Sequence, residues 1–149
     1  PRGHEGRLPE IFHARVRQRA VEASPGDTLS PGTIYFAPAD YHLLVEPDHT
    51  LSLSCEPPVH YSRPAIDLLF ESAAAAYGRA LLAIVLTGAN EDGARGLANV
   101  RERGGFAVVQ DPAEALHATM PRAALDEAGA DLVLPLAAIH DLLSTLIRP

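Results

Sequence analysis

Residues 81–95, LLAIVLTGANEDGAR, decide the fold of this chain. The apolar run at the start of this stretch predicts a buried strand, and a helical pattern begins near Gly93. The turn between them is flanked by glycines and carries acidic side chains, among them Asp92. In open α/β folds such a turn lies at the carboxyl edge of the sheet, where ligands bind. Asp92 is therefore predicted at the edge where catalytic groups gather.

Strands and helices alternate around this stretch. Helices are predicted at 65–77, 93–103, 113–128 (interrupted at Pro121) and 136–147, and strands at 81–86, 106–109 and 132–134. Such alternation implies right-handed crossovers and a largely parallel sheet covered on both faces. The predicted fold class is therefore α/β, with a doubly wound, largely parallel sheet, helices on both faces and a β-hairpin insertion.

The amino-terminal half has a different pattern. A first helix is predicted at 8–19, followed by short strands at 33–37, 43–46 and 51–54, the last two joined by a hairpin loop at 47–50. The proline-rich segment 56–64 is predicted to be extended and irregular. With 149 residues and no internal repeat or linker, the chain is predicted to form a single domain, 1–149.

Composition excludes several classes of function. The formal net charge is −7, with twelve arginines and no lysine, which argues against a general nucleic-acid binder. Arg15, Arg17 and Arg19 cluster, but their spacing spreads them around a helix, so a solvated face is the favoured interpretation. The lone Cys55 cannot form an internal disulfide, which favours a cytoplasmic location, and its context makes it a poor nucleophile. No apolar stretch reaches the roughly 18 residues of a membrane span, so no membrane insertion is expected.

Two interpretations of Asp92 compete. Asn90 or Asp92 could simply cap the helix that follows, and the pattern alone favours this role. Glycines at 88, 93 and 96 also suggest a phosphate cradle. That suggestion is weak, because the lysine of a P-loop is absent and the acidic side chains would repel a phosphate.

Four segments of the chain resemble one protein family. Residues 33–43, TIYFAPADYHL, are similar to the YIAPGDRHL segment of the CheB protein-glutamate methylesterases. Residues 63–70, 86–94 and 120–124 similarly resemble the RPSVDVLF, LTGMGNDGA and MPREA segments of that family. The four occur in the family's order and at roughly its spacing, and together they cover most of the chain.

The resemblance implies a Ser-His-Asp hydrolase of the CheB family that cleaves glutamyl methyl esters on chemoreceptors, with glutamine deamidation in some members. Asp92 matches the catalytic aspartate of the family, whose task is to orient the histidine and stabilise its imidazolium. That chemistry needs neither a metal nor an organic cofactor. The implied partner is the cytoplasmic region of a methylated chemoreceptor. A receiver domain or a signalling kinase is a further candidate partner, although no receiver domain lies in these residues.

The other two members of the triad do not carry over. The family's nucleophile lies in a Gly-x-Ser-x-Gly-Gly turn, and this chain has no such motif. Alignment of Pro1 and the next three residues with the family's PPGF places the catalytic histidine two positions upstream. His4 then matches a non-catalytic position, although a shifted alignment would make it the base. We expect the serine and histidine upstream of Pro1, and the 149 residues alone to be inactive.

The resemblance also marks candidates close to the substrate: Gly88, Ala89, Asn90 and Met120. The family often has methionine where this chain has Ala89. The smaller side chain is expected to affect which substrate is preferred more than the type of reaction. Met120 could equally be a core side chain. His13, His42, His117 and His140 are expected to be structural or surface residues, whereas His60 could lie near the site entrance. The alternative function is a non-catalytic docking module of a chemosensory protein.

Overall fold

The computed structural model describes residues 7–147. Its helices are α1 (Leu8–His13), α2 (Ile66–Tyr77), α3 (Ala94–Glu102), α4 (Thr119–Glu127) and α5 (Leu136–Leu146). Its strands are β1 (Arg19–Glu22), β2 (Thr33–Phe36), β3 (His42–Val45), β4 (Leu51–Ser54), β5 (Leu82–Val85), β6 (Phe106–Gln110) and β7 (Leu132–Leu134). A short 3₁₀ turn, Gly78–Ala80, joins α2 to β5.

The strands pair in three groups. β5, β6 and β7 form a parallel sheet in sequential order, and β1 and β2 form a separate parallel pair. β3 and β4 are antiparallel, with Val45 opposite Leu51 across the connecting turn. The chain is therefore an α/β structure with parallel sheets and helices.

The main core lies between the three-stranded sheet and the helices α2, α3 and α4. Side chains alternate between the faces of a strand, so Ala83 and Val85 of β5 share one face with Ala107 and Val109 of β6. This face packs against helix residues that include Leu97 of α3, which is fully buried. On the opposite face, Leu82 and Phe106 line a groove together with Leu142 and Leu146 of α5. A second cluster packs the β3–β4 pair against α2.

The predicted first helix is wrong at its carboxyl end. Helix α1 ends at His13, and Arg19, predicted as helical, begins strand β1. Pairing with β2 stabilises this strand, and Ala20 is its buried residue. A four-residue strand held by a partner distant in sequence has little local signal, because its stabilisation is non-local. Arg15, Arg17 and Arg19 are exposed as expected, but not on a helix.

The predicted helix at 113–128 is also too long. Helix α4 begins at Thr119, and the residues before it form turns and bends. Pro121 lies in the first turn of α4, where its missing N–H has no intrahelical partner to lose. The proline therefore marks the start of the helix and does not interrupt it.

None of the helices within residues 7–147 is long and apolar enough to cross a membrane.

Candidate functional site

Asp92 lies in the turn after β5 and is almost completely buried, with 2% of its surface exposed. Its Oδ2 accepts a hydrogen bond from the backbone N–H of Ile66 at 2.7 Å, and its Oδ1 accepts one from Asp67 at 2.9 Å. These are the first two amides of α2, which have no acceptor inside their own helix. The partial positive charge of the helix terminus also favours a carboxylate at this position.

A second buried carboxylate makes the reciprocal contact. Asp67, in the first turn of α2, is fully buried, and its Oδ1 accepts hydrogen bonds from Gly93 at 3.0 Å and Gly96 at 2.8 Å. These amides belong to the amino terminus of α3. Thus Asp92, just before α3, caps α2, and Asp67 in α2 caps α3. The exchange locks the two helices together and fixes the loop that carries Asp92.

The expectation that Asn90 or Asp92 caps the following helix is wrong. The residue at the cap position of α3 is Gly93, with φ of 98°, and it has no side-chain cap of its own. Asn90 instead folds back within the loop, where its Oδ1 accepts a hydrogen bond from Asp92 N–H at 3.0 Å. Asp92 does act as a cap, but for a helix that lies 26 residues earlier in the chain. Asp67 is not among the residues that the sequence marks for the site, because an acidic residue in a first helical turn is ordinary.

His60 lies beside the carboxylates of Asp67 and Glu91. Its Nε2 is 3.5 Å from Asp67 Oδ2, the carboxylate oxygen that has no hydrogen-bond partner among the described residues, and its Nδ1 is 3.2 Å from Glu91 Oε1. Glu91 immediately precedes Asp92. His60, Asn90 and Glu91 line a depression of about 300 Å³ together with Tyr61 and Thr119. The structure therefore places His60 at the rim of the site.

Gly88 and Met120 are in direct contact. A Cβ atom added to Gly88 would lie 2.5 Å from Met120 Cε and 2.7 Å from its Sδ. Met120 N–H donates to the carbonyl of Gly88 at 3.0 Å, so the start of α4 is joined to the end of β5. Met120 also packs against the main core. The structure thus shows Met120 as a side chain that packs against the core and Gly88, and its role beside the substrate stays a prediction.

The remaining candidates vary in position. Ala89 is exposed and Asn90 is half-buried, and Asn90 Nδ2 donates to Ser62 Oγ at 3.4 Å. His42 is fully buried: its Nδ1 accepts from Ala65 N–H at 3.1 Å, and its Nε2 lies 3.0 Å from Pro57 O. These bonds give His42 the structural role that was expected. His4 lies outside the described residues.

The other histidines of the described residues have exposed side chains, His49 among them. His13, His117 and His140 are exposed, as expected of surface residues. Within residues 7–147, no group of three or more His, Cys, Asp or Glu side chains could hold a metal ion.

The fold and the site define a class: an α/β domain with a buried, backbone-anchored acid at the carboxyl edge of a parallel sheet. Residues 1–143 match the family model described as CheB methylesterase. The chain therefore belongs to the CheB methylesterase family.

Its similarity to individual proteins is extensive. A putative protein-glutamate methylesterase/protein-glutamine glutaminase of Leptospira interrogans is 47% identical over 138 residues, which cover 93% of this chain and 72% of that protein. The protein-glutamate methylesterase FrzG of Myxococcus xanthus is 42% identical over 121 residues, covering 81% of this chain and 36% of FrzG. The crystal structure of the Thermotoga maritima CheB methylesterase catalytic domain superposes with a TM-score of 0.90 at 29% identity, covering 99% of this chain and 79% of that one. The family expected from the sequence is thereby confirmed.

Proposed function

We propose that the complete protein containing this chain is a cytoplasmic protein-glutamate methylesterase acting on the cytoplasmic region of methylated chemoreceptors. Glutamine deamidation is a proposed second reaction, because the Leptospira relative is named for both activities. The observation that carries the proposal is the buried Asp92 carboxylate, held by two backbone N–H groups at the end of β5. It occurs in a chain that matches the CheB family over residues 1–143.

Asp92 is proposed as the acid of a Ser-His-Asp triad. Each carboxylate oxygen has lone pairs beyond the one that the backbone uses, so Asp92 can still accept a histidine N–H. The histidine takes the proton of the serine hydroxyl as the serine oxygen attacks the ester carbonyl. The same proton then leaves with methanol, and water hydrolyses the resulting acyl-enzyme. This chemistry draws on no metal and no organic cofactor.

The serine and the histidine are proposed to come from residues that precede Pro1. The chain has no Gly-x-Ser-x-Gly-Gly turn, and it covers 72% of the Leptospira relative and 79% of the Thermotoga domain. Ser62 is the serine that contacts the Asp92 loop, through Asn90 Nδ2. Among the described residues, no histidine is hydrogen-bonded to the Ser62 hydroxyl, so it lacks the base that a nucleophile needs.

We propose that the substrate-binding wall consists of Gly88, Ala89, Asn90 and Met120. Gly88 and Met120 are in contact at the end of β5, and Ala89 is exposed between them and the Asp92 loop. The small Ala89 side chain leaves space for the ester group.

A doubly wound sheet with the β3–β4 hairpin as an insertion is likewise proposed for the complete domain. A single domain over residues 1–149, with a receiver domain or signalling kinase as regulatory partner, completes the proposal.

The test is methanol release from a methylated receptor by the complete protein, with an Asp92→Asn variant. The expected loss of turnover is about 10⁴-fold, the size known for the corresponding change in serine hydrolases. The matched control is Asp67→Asn, because Asp67 is an equally buried helix-capping carboxylate. We expect Asp67→Asn to retain most of the turnover, because the amide oxygen can still accept the N–H groups of Gly93 and Gly96 and so keep the loop in place. Equal losses of turnover in the two variants would contradict the triad role.

One observation favours a second candidate, a non-catalytic docking module. Asp92 caps α2, so a module that only docks would also need an acid at this position. The same assay separates the two functions. A complete protein that binds the receptor and releases no methanol is the docking module.

A further inference from the structure

We propose that the tight turn centred on His60 and Tyr61 is a substrate-recognition element, in which the Tyr61 ring packs on the receptor polypeptide beside the methylated glutamate. This inference rests on the proposed function and deepens it. It assigns a specificity-determining residue outside the triad, and it identifies the substrate as a folded polypeptide surface larger than the ester itself.

The turn has an unusual backbone. Val59 and Ser62 exchange two backbone hydrogen bonds, at 3.0 and 2.8 Å, and enclose His60 and Tyr61. The φ angles of His60 and Tyr61 are 48° and 63°, so both residues adopt the left-handed conformation. A two-residue turn of this type favours Asn-Gly, because bulky side chains are strained there. Such strain persists only where the surroundings hold it, and it concentrates at ligand-binding sites.

Contacts with the Asp92 loop hold the turn in place. The imidazole of His60 lies between the carboxylates of Asp67 and Glu91, at 3.5 and 3.2 Å. On the other side, the Asn90 amide donates to the Ser62 hydroxyl at 3.4 Å. Tyr61 is the more exposed residue of the turn, because 34% of the His60 side chain is exposed whereas Tyr61 is fully exposed. The position of Tyr61 is therefore coupled to the loop that carries the proposed catalytic acid.

Tyr61 is fully exposed, with a relative exposure of 104%, so the fold gains no packing from its ring. It nevertheless lines the depression of about 300 Å³ whose other residues are His60, Asn90, Glu91 and Thr119. Tyrosine suits a contact with a polypeptide, because its ring is large, rigid and amphipathic. A depression of this volume is at the lower end of pockets that hold drug-sized ligands. It therefore has room for chain that flanks the methylated side chain.

The experiment compares Tyr61→Gly with the unchanged complete protein in steady-state methanol release from a methylated receptor. Glycine accepts the left-handed conformation, so Tyr61→Gly removes the ring without straining the turn. We expect KM for the receptor to rise roughly fivefold or more, the effect of losing one interface aromatic, with kcat unchanged. Tyr61→Phe keeps the ring and should stay close to the parent KM.

The matched control is His49→Gly. His49 is another left-handed aromatic residue, with φ of 65°, but it lies in the β3–β4 turn against Ala76 at the opposite end of α2. We expect its KM to match that of the parent. As a readout that does not depend on turnover, a photo-crosslinking side chain at position 61 should capture the receptor, whereas the same group at 49 should not.

The outcomes separate the two proposals. If the parent protein releases methanol and Tyr61→Gly leaves KM unchanged, or position 61 crosslinks no better than 49, the recognition role is wrong and the esterase function stands. If the parent releases no methanol from a methylated receptor, the esterase function fails, and this inference fails with it.

Discussion

At the scale of single residues, the Asp92 carboxylate that is proposed for catalysis also stabilises the fold. Asp92 and Asp67 are buried carboxylates, which are costly unless hydrogen bonds replace their lost hydration. Asp92 meets this requirement by capping the amino terminus of α2, the helix that contains Asp67. Asp67 meets it by capping the amino terminus of α3, the helix that follows Asp92. The carboxylate proposed for catalysis is therefore rigid before any substrate arrives, because the fold itself needs it in place.

Replacing Asp67 with alanine should destabilise the protein. The backbone N–H groups of Gly93 and Gly96 would lose their acceptor in a buried region, which costs about 1–3 kcal/mol in the free energy of unfolding. Urea unfolding of the complete protein measures the change. Asp126→Ala is the control, because Asp126 is exposed on α4 and should leave stability nearly unchanged. An Asp67→Ala variant as stable as the parent would show that the cap contributes nothing.

Asp48 in the β3–β4 turn should titrate below the ordinary range of an aspartate. The hydroxyl and backbone N–H of Thr50 donate to its Oδ1 at 2.6 and 3.1 Å, which lowers the pKa of Asp48 from 3.8. Because the folded pKa is depressed, the stabilisation is present above the unfolded pKa and is lost as pH falls through the folded value. NMR titration should show Thr50→Val raising the pKa of Asp48. An unchanged value would contradict the hydroxyl contact.

At the scale of elements, the contact between α2 and α3 positions the site. Arg95 Nε donates to Glu71 Oε1 at 2.7 Å on the exposed side of this contact, and the hydrogen bond to Glu71 raises the pKa of Arg95. On the buried side, α3 approaches so closely that a Cβ atom at Gly96 would lie 2.8 Å from Phe70 Cβ and 3.0 Å from Asp67 Cα. A larger separation between α2 and α3 would lengthen the hydrogen bonds by which Asp67 and Asp92 cap these helices.

Gly96→Ala should therefore destabilise the protein, although alanine favours a helix by up to about 1 kcal/mol over glycine. The new methyl group meets the backbone of α2, which cannot move aside, and overpacking of this kind costs about 1–3 kcal/mol. Urea unfolding measures the loss, and methanol release should fall with it as the capped loop shifts. A gain in stability of the size expected from helix propensity would show that the helices can separate without cost.

At the scale of the whole molecule, the parallel sheet is the rigid platform behind the site. Strand β6 is paired on both sides, and Ala107, Val108 and Val109 are fully buried. Strand β5, which leads directly into the Asp92 turn, is paired along its length with β6. The turn is thus anchored by the most buried strand in the described part of the chain.

Hydrogen exchange should follow this arrangement. The amides of residues 107–109 should exchange last, near the limit set by global unfolding, because no local opening exposes a central buried strand. The His60–Tyr61 turn should exchange much faster. Native-state exchange of the complete protein, resolved by residue, measures both. Slower exchange in β1 and β2 than in β6 would contradict the assignment of the three-stranded sheet as the stable core.

Periodicity predicted most of the elements after residue 64 to within one or two residues, because β5, α3, β6 and β7 carry strong local patterns. It is wrong at β1, whose stability comes from pairing with β2, and at the start of α4, where Pro121 lies in the first turn of the helix and does not interrupt it. At the site, the position of Asp92 after β5 was predictable. The contacts of Asp92 with α2 and the role of Asp67 were not, because they join residues about 25 positions apart.

The sequence by itself determined the alternation of strands and helices, the acidic turn after β5 and, through four motifs, the family. These properties are local, since they depend on residue type and on spacing over a few residues. Only the tertiary structure decided which helix each buried aspartate caps, that Met120 lies against Gly88, and that Tyr61 stands exposed beside the Asp92 loop. Such contacts depend on how α2, α3 and the sheet pack together, and packing brings together residues whose separation in sequence carries no signal.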